Sequence, residues 1–137
     1  MDDIPQLDRL VRELNSSGLN QDGQAGRLEQ WLEILRGQGG SDLYLVAGLP
    51  PSIRVHGIVR QLAEPVLDGE EIEESVLPAL PPHAAQSYRS KGYADASLRR
   101  GTRGRFRVNL HRERGRAAAS IRALPMRPPQ LAELALP

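Results

Sequence analysis

Gly104-Arg105-Phe106-Arg107-Val108-Asn109-Leu110-His111-Arg112-Glu113-Arg114-Gly115-Arg116-Ala117-Ala118-Ala119-Ser120-Ile121-Arg122-Ala123 is the stretch from which the fold of this chain is read. Apolar residues take even positions before Arg114-Gly115 and mostly odd positions after it, the period of two that marks half-buried strands. Glycine at 115 suits a two-residue hairpin loop, where positive φ is required. Closing the hairpin there pairs Phe106 with Ala123, Val108 with Ile121 and Leu110 with Ala119 on one face. The other face then pairs Arg107 with Arg122, Asn109 with Ser120, His111 with Ala118 and Glu113 with Arg116. The alternation fits both strands in one register, and a slip of one residue would turn every apolar side chain to the wrong face.

Working outward, the residues before the hairpin divide into helical and extended patterns. A strand is expected at 93–99, preceded by a helix over about 82–91 that ends at Gly92. Asp68 with Glu71 has the spacing of a capping box, and Leu67 with Ile72 that of a hydrophobic staple, so a helix starts there and runs to about Ala79. Leu43, Leu45 and Ala47 alternate with Tyr44 and Val46 in a strand that stops at Gly48-Leu49-Pro50-Pro51. Two short strands flank His56-Gly57. Leu28, Trp31, Leu32 and Leu35 form a helical stripe ending at Gly37. Residues 16–26, polar and glycine-rich, read as a flexible linker, and residues 1–15 as a short amphipathic helix beyond it. The whole is an α+β domain, an antiparallel sheet flanked by helices over 27–125, with an extra N-terminal helix.

Composition narrows the chemistry. The chain has 137 residues, enough for one domain, and a net charge of +1. With no cysteine there are no disulfides, thiolate metal sites or cysteine nucleophiles. The near-neutral total hides an asymmetry. Residues 99–127 hold ten arginines and one acid, a net of +9, leaving eight bases and sixteen acids elsewhere, a net of −8. The first residues lack the basic start of a signal peptide and no apolar run is long enough to span a membrane, so a cytoplasmic domain is expected. There is no phosphate-cradling GxxxxGK[ST] loop, the three histidines are far apart, and no residue set suggests a metal site or a catalytic group. Ser41-Asp42 has no histidine base nearby and reads as a cap or a strand start.

The hairpin's polar face poses the functional question. Like charges directly opposite one another destabilise a sheet, so Arg107 against Arg122 needs a reason. Either an acid from elsewhere in the fold neutralises the pair, or it waits for an anion that Asn109 and Ser120 help to bind.

Ser41-Asp42-Leu43-Tyr44-Leu45-Val46-Ala47-Gly48-Leu49-Pro50-Pro51-Ser52-Ile53-Arg54-Val55-His56-Gly57 resembles the SDLHLxxGxPPxxRxxG segment of the type IV pilus retraction ATPases. Ala94-Asp95-Ala96-Ser97 resembles their ADFS strand. Gly104 to Asn109, Arg114-Gly115 and Ile121 to Pro125 resemble their GRFRVN hairpin, and Leu131 to Pro137 is similar to the segment leaving the domain. Two positions depart from the family: Tyr44 replaces its histidine and Ala96 its phenylalanine. The resemblance covers about residues 28–137.

It implies a PAS-like N-terminal domain that precedes a P-loop ATPase domain, with 126–137 as the start of the linker between them. It further implies a cytoplasmic homo-hexamer, peripheral to the inner membrane. In that ring the domain packs on the ATPase domain of its own and a neighbouring subunit, and a platform protein at the pilus base is a possible further partner. Arg107, Arg122 and Arg114 are the residues it implies reach the nucleotide phosphates of that neighbour. ATP and Mg belong to the full-length protein, and this chain alone is expected to hydrolyse nothing. No membrane insertion and no nucleic acid are expected. The alternatives are a freestanding anion- or nucleic-acid-binding module using the 99–127 hairpin, and the equivalent domain of a type II secretion ATPase.

Overall fold

The computed structural model describes residues 20–126; the expected helix over 1–15, residues 16–19 and all of the expected 126–137 linker except Met126 lie outside them. Elements follow in the order α1 (Asn20–Gly37), β1 (Asp42–Val46), β2 (Ser52–Val55), β3 (Ile58–Gln61), α2 (Gly69–Val76), α3 (Pro82–Lys91), β4 (Tyr93–Arg99), β5 (Arg105–Glu113) and β6 (Arg116–Ala123). The six strands form one antiparallel sheet in the order β3-β2-β1-β6-β5-β4. Two local three-stranded units, β1–β3 and β4–β6, are thus joined through the pairing of β1 with β6.

The β5–β6 register is the one the alternation requires, from Phe106 opposite Ala123 to Glu113 opposite Arg116. Arg114 and Gly115 both have positive φ, 53° and 78°, as a two-residue turn of the right-handed-twist type needs. Phe106, Val108, Leu110, Ala119 and Ile121 are buried with Leu43, Leu45 and Ile53 of the neighbouring strands. The three helices cover this face. Leu28, Trp31, Leu32 and Leu35 of α1, Ile72 and Val76 of α2 and Tyr88 of α3 complete the core. Trp31 donates its indole N–H to Glu64 Oε1 at 3.0 Å, so its buried ring leaves no polar atom unpaired.

Asp68 caps α2 as a full capping box: its side chain accepts from the Glu71 N–H, and the Glu71 carboxylate accepts from the Asp68 N–H. Two boundaries differ from the sequence reading. The α-helix stops at Val76 and continues as a 3-10 turn over Leu77–Ala79, because Pro78 has no N–H to extend the helical ladder. At the other end α1 begins at Asn20, so residues 20–26, read as linker from their composition, are helical in backbone. Their polarity removes the apolar stripe that signals a helix. It does not prevent a turn already nucleated by the packed Leu28–Leu35 stripe from propagating.

Ala96 pairs with Val108 on the helix-facing side of the sheet and packs, half-buried, against the core. Among the described residues no helix covers the opposite face of the sheet, and it is there that the polar residues of the central strands collect.

Candidate anion site on the open sheet face

Pleating and register fix what lies on the open face. One row runs Arg54, Asp42, Arg122, Arg107 and Ser97 across β2, β1, β6, β5 and β4. The next runs Ser52, Tyr44, Ser120, Asn109 and Asp95 across the same strands. Beyond Ser97 and Arg107, Arg99 faces Arg105. Five arginines and two aspartates therefore share these rows, with Glu113 and Arg116 farther along the same face towards the hairpin turn. At the centre of the face is a shallow depression of about 370 Å³, bordered by two of these arginines, Arg107 and Arg122, with Asp42, Tyr44, Asp95, Asn109 and Ser120.

The like-charged pair is real: Arg107 and Arg122 stand opposite each other in the ladder. An internal acid answers one of the two arginines. Asp42, on the strand beyond, accepts from Arg122 Nε at 3.2 Å and lies 3.8 Å from Arg54 Nε. It sits on the far side of Arg122, not between the two arginines. Among the described residues Arg107 has no side-chain hydrogen bond or ion pair. Its neighbours are uncharged or already engaged: Asn109 donates to Asp95 at 2.9 Å and lies 2.8 Å from the His111 ring nitrogen through its carbonyl oxygen.

Tyr44 is tied to Arg54, whose Nε donates to the phenol oxygen at 3.2 Å while the guanidinium lies over the ring. That hydrogen bond raises the pKa of Arg54, with Asp42 adding to it. Arg114 is elsewhere. It occupies the hairpin turn, seven residues along the strand from Arg107, which at the strand rise is roughly 23 Å. It borders a separate hollow with Val46, Glu113 and Arg116. The three sequence-selected arginines therefore cannot converge on one phosphate; Arg107 and Arg122 can.

The rest of the basic third divides cleanly. Arg100 and Arg103 pair with Glu29 at 2.7 and 3.0 Å, and Arg103 reaches Glu33 at 3.5 Å. Arg112 donates to the Tyr88 hydroxyl at 3.2 Å and lies 3.9 Å from Glu73. These arginines answer acids of the helices, while on the open face Arg99, Arg105 and Arg107 have no acid partner among the described residues. Tyr93 is the one strongly exposed aromatic ring among the described residues, since Phe106 is buried under Arg36. The hairpin therefore offers bases no stacking platform. Among the described residues no cluster of histidine and carboxylate could hold a metal ion, and no helix is long and apolar enough to cross a membrane.

Sequence reasoning missed Asp42 as a site residue. Its role depends on β1 pairing with β6, a contact between residues eighty apart in the chain.

No family model matches the chain. The type IV pilus ATPase PilU of Pseudomonas aeruginosa is 30% identical over 109 residues, covering 80% of this chain and 28% of PilU. The type IV pilus retraction ATPase PilT of the same organism is 32% identical over 99 residues, covering 72% of this chain and 29% of PilT. The crystal structure of the pilus retraction motor PilT with bound ADP superposes with a TM-score of 0.65 at 34% identity, over 77% of this chain and 32% of that one. The chain belongs to the PilT family of type IV pilus ATPases, as an N-terminal domain. It spans less than a third of the length of the PilT and PilU proteins it matches. The Legionella pneumophila ATPase DotB shares the fold, with a TM-score of 0.65 at 24% identity over 82% of this chain and 32% of that one.

Proposed function

We propose that this PilT-family domain packs, within a homo-hexameric cytoplasmic ring, on the ATPase domain of a neighbouring subunit. There it presents Arg107 and Arg122 to the phosphates of the nucleotide held by that subunit. The observation that carries the reading is Arg107: among the described residues its guanidinium has no partner, and it stands opposite a second arginine on the sheet face that no described helix covers. A fold tolerates that repulsion at a cost, and an anion brought from outside relieves it. Planar guanidinium groups match phosphate oxygens and neutralise charge that grows during phosphoryl transfer. In this reading ATP and Mg are held by the ATPase domain, whose phosphate-binding loop has no counterpart motif in the present sequence, and hydrolysis belongs to the assembled motor. Arg114, at the hairpin tip, serves a contact distinct from this one. The motor works at the base of the pilus, on the inner face of the membrane.

The test is ATP hydrolysis by the PilT-type ATPase carrying this domain. Arg107→Ala and Arg122→Ala are each expected to lower the turnover by roughly tenfold or more, the effect of removing a group aimed at developing charge. Arg107→Lys does not restore it, since a point charge cannot replace the fork. The isolated chain with either alanine keeps its fold, as judged by circular dichroism and a cooperative urea transition. Unchanged hydrolysis in both alanine variants overturns the reading.

A further inference from the structure

We propose that Ser41-Asp42 is a positioning device for Arg122, gripping one edge of its guanidinium so that the outer fork is presented to an oxyanion. The inference rests on the reading of Arg122 as a phosphate-contacting group and adds the residues that prepare it.

Asp42 is the only buried carboxylate among the described residues, with its side chain 9% exposed, although it belongs to the open sheet face. Its two oxygens are divided. Oδ1 accepts from Arg122 Nε at 3.2 Å. Oδ2 accepts from the Ser41 hydroxyl at 2.7 Å and lies 3.8 Å from Arg54 Nε. Ser41 is itself fixed by the backbone: its N–H donates to the Arg54 carbonyl at 2.8 Å, and its carbonyl accepts from the Ala123 N–H at 2.9 Å. The serine is thereby held between β2 and β6, on both sides of the strand that carries Asp42.

A carboxylate placed only to neutralise Arg122 would engage it with both oxygens, the parallel two-bond arrangement that guanidinium favours. Here a single oxygen meets a single nitrogen. The terminal nitrogens of Arg122 have no partner among the described residues, and its side chain is 70% exposed. Asp42 thus fixes the direction of Arg122 without occupying the atoms that would bind phosphate. An arginine held in its binding direction loses less conformational freedom on meeting a ligand. Arg107 has no such holder among the described residues, so the two arginines differ in kind: one prepared, one recruited.

Charge alone and positioning predict opposite signs, which makes the idea testable. Removing a negative charge beside Arg122 should, on charge alone, tighten anion binding. If Asp42 positions Arg122, Asp42→Ala weakens it, whereas Asp42→Asn retains an oxygen that can accept from Nε and stays close to the parent. The probe is pyrophosphate titrated into the 137-residue chain at low ionic strength, followed by the arginine Nε–H signals in proton–nitrogen NMR. Arg122→Ala assigns the signal.

The expected result is a resolved Arg122 Nε–H signal that shifts with pyrophosphate, an affinity about fivefold weaker in Asp42→Ala, and one within about twofold of the parent in Asp42→Asn. Ser41→Ala is expected to weaken binding about twofold and broaden the same signal; it and Asp42→Asn carry the test should Asp42→Ala fail to fold. Tighter binding in Asp42→Ala, an Arg122 signal indifferent to both Ser41 and Asp42 substitutions, or no shift of that signal with pyrophosphate overturns the proposal. If Arg107→Ala and Arg122→Ala also leave pyrophosphate affinity unchanged, the phosphate reading fails with it. If those two weaken binding while Asp42→Ala tightens it, only the positioning role is lost.

Discussion

Arg36 shows what an arginine does when the fold, not a ligand, is its partner. Its Nε donates to the Arg103 carbonyl at 2.6 Å, and one terminal nitrogen donates to the carbonyls of Leu124 at 2.6 Å and Arg105 at 3.1 Å, with the guanidinium over the Phe106 ring. A side chain on Gly104 would come within 2.8 Å of that guanidinium, so this close approach, together with a φ of 89°, keeps the position for glycine. Burial lowers the pKa of Arg36 without giving it an acid partner. Replacing it by lysine is expected to cost about 2–4 kcal/mol in urea denaturation, because one ammonium cannot serve three carbonyls in a plane. Tyr88 makes a second residue-scale prediction. Its buried hydroxyl donates to Glu73 at 2.6 Å and accepts from Arg112. Burial first, then the bond to Glu73, raises its pKa above that of an ordinary tyrosine. A group bound more tightly to its proton in the folded state contributes stability below its unfolded pKa and loses it as pH rises through the folded value. The chain should therefore lose stability above about pH 10. Tyr88→Phe should remove both that loss and the latest-titrating component of the absorbance change at high pH, and should cost about 1–2 kcal/mol at neutral pH through the two hydrogen bonds lost to Glu73 and Arg112.

At the scale of elements, the β5–β6 hairpin was legible because its two determinants are local. Side-chain alternation fixes the faces, and Arg114-Gly115 fixes the turn, so register follows without knowledge of any other strand. The capping box at Asp68 was legible for the same reason, since Asp68 and Glu71 need only each other. The start of α1 was not, because a helix extended by packing elsewhere leaves no periodic trace in its own residues. The turn carries a cost that can be measured. Arg114 holds a φ of 53° that glycine or asparagine adopts more easily. Arg114→Gly should raise stability by about 0.5–1 kcal/mol, and Gly115→Ala, at a φ of 78°, should lower it by about 1 kcal/mol. An arginine kept in an unfavourable turn position is consistent with a contact made outside the domain. Hydrolysis by the ATPase carrying Arg114→Gly separates the two: a more stable domain in a slower enzyme places the reason at that contact, and unchanged turnover places it nowhere in function.

At the scale of the molecule, sequence distance decided what could be read. Arg107 and Arg122 came from adjacent strands of one hairpin and were found together. Asp42 and Arg54 came from the other half of the sheet, joined to them only by the β1–β6 pairing, and no local pattern announces that pairing. The result is a sheet whose two faces have opposite electrostatic characters. Under the helices, arginines meet glutamates in half-buried pairs; across the rows of the open face five arginines share two aspartates. Salt acts on both, in opposite directions. It weakens the ion pairs, though less where they are partly buried, and it relieves repulsion among exposed like charges. The balance in the whole chain is therefore less informative than a difference. Arg107→Ala removes one member of the repelling row and touches no ion pair among the described residues. Subtracting its urea midpoint from that of the parent should show the parent gaining on the variant as sodium chloride rises from about 0.02 to 0.5 M, by a few tenths of a kcal/mol. At equal ionic strength pyrophosphate should produce a larger gain than chloride, because a bound multivalent anion stabilises the folded chain by mass action as well as by screening. A parent that loses ground with salt would mean that Arg107 is neutralised within the domain, and the open face would then have no unmet charge to offer a neighbour.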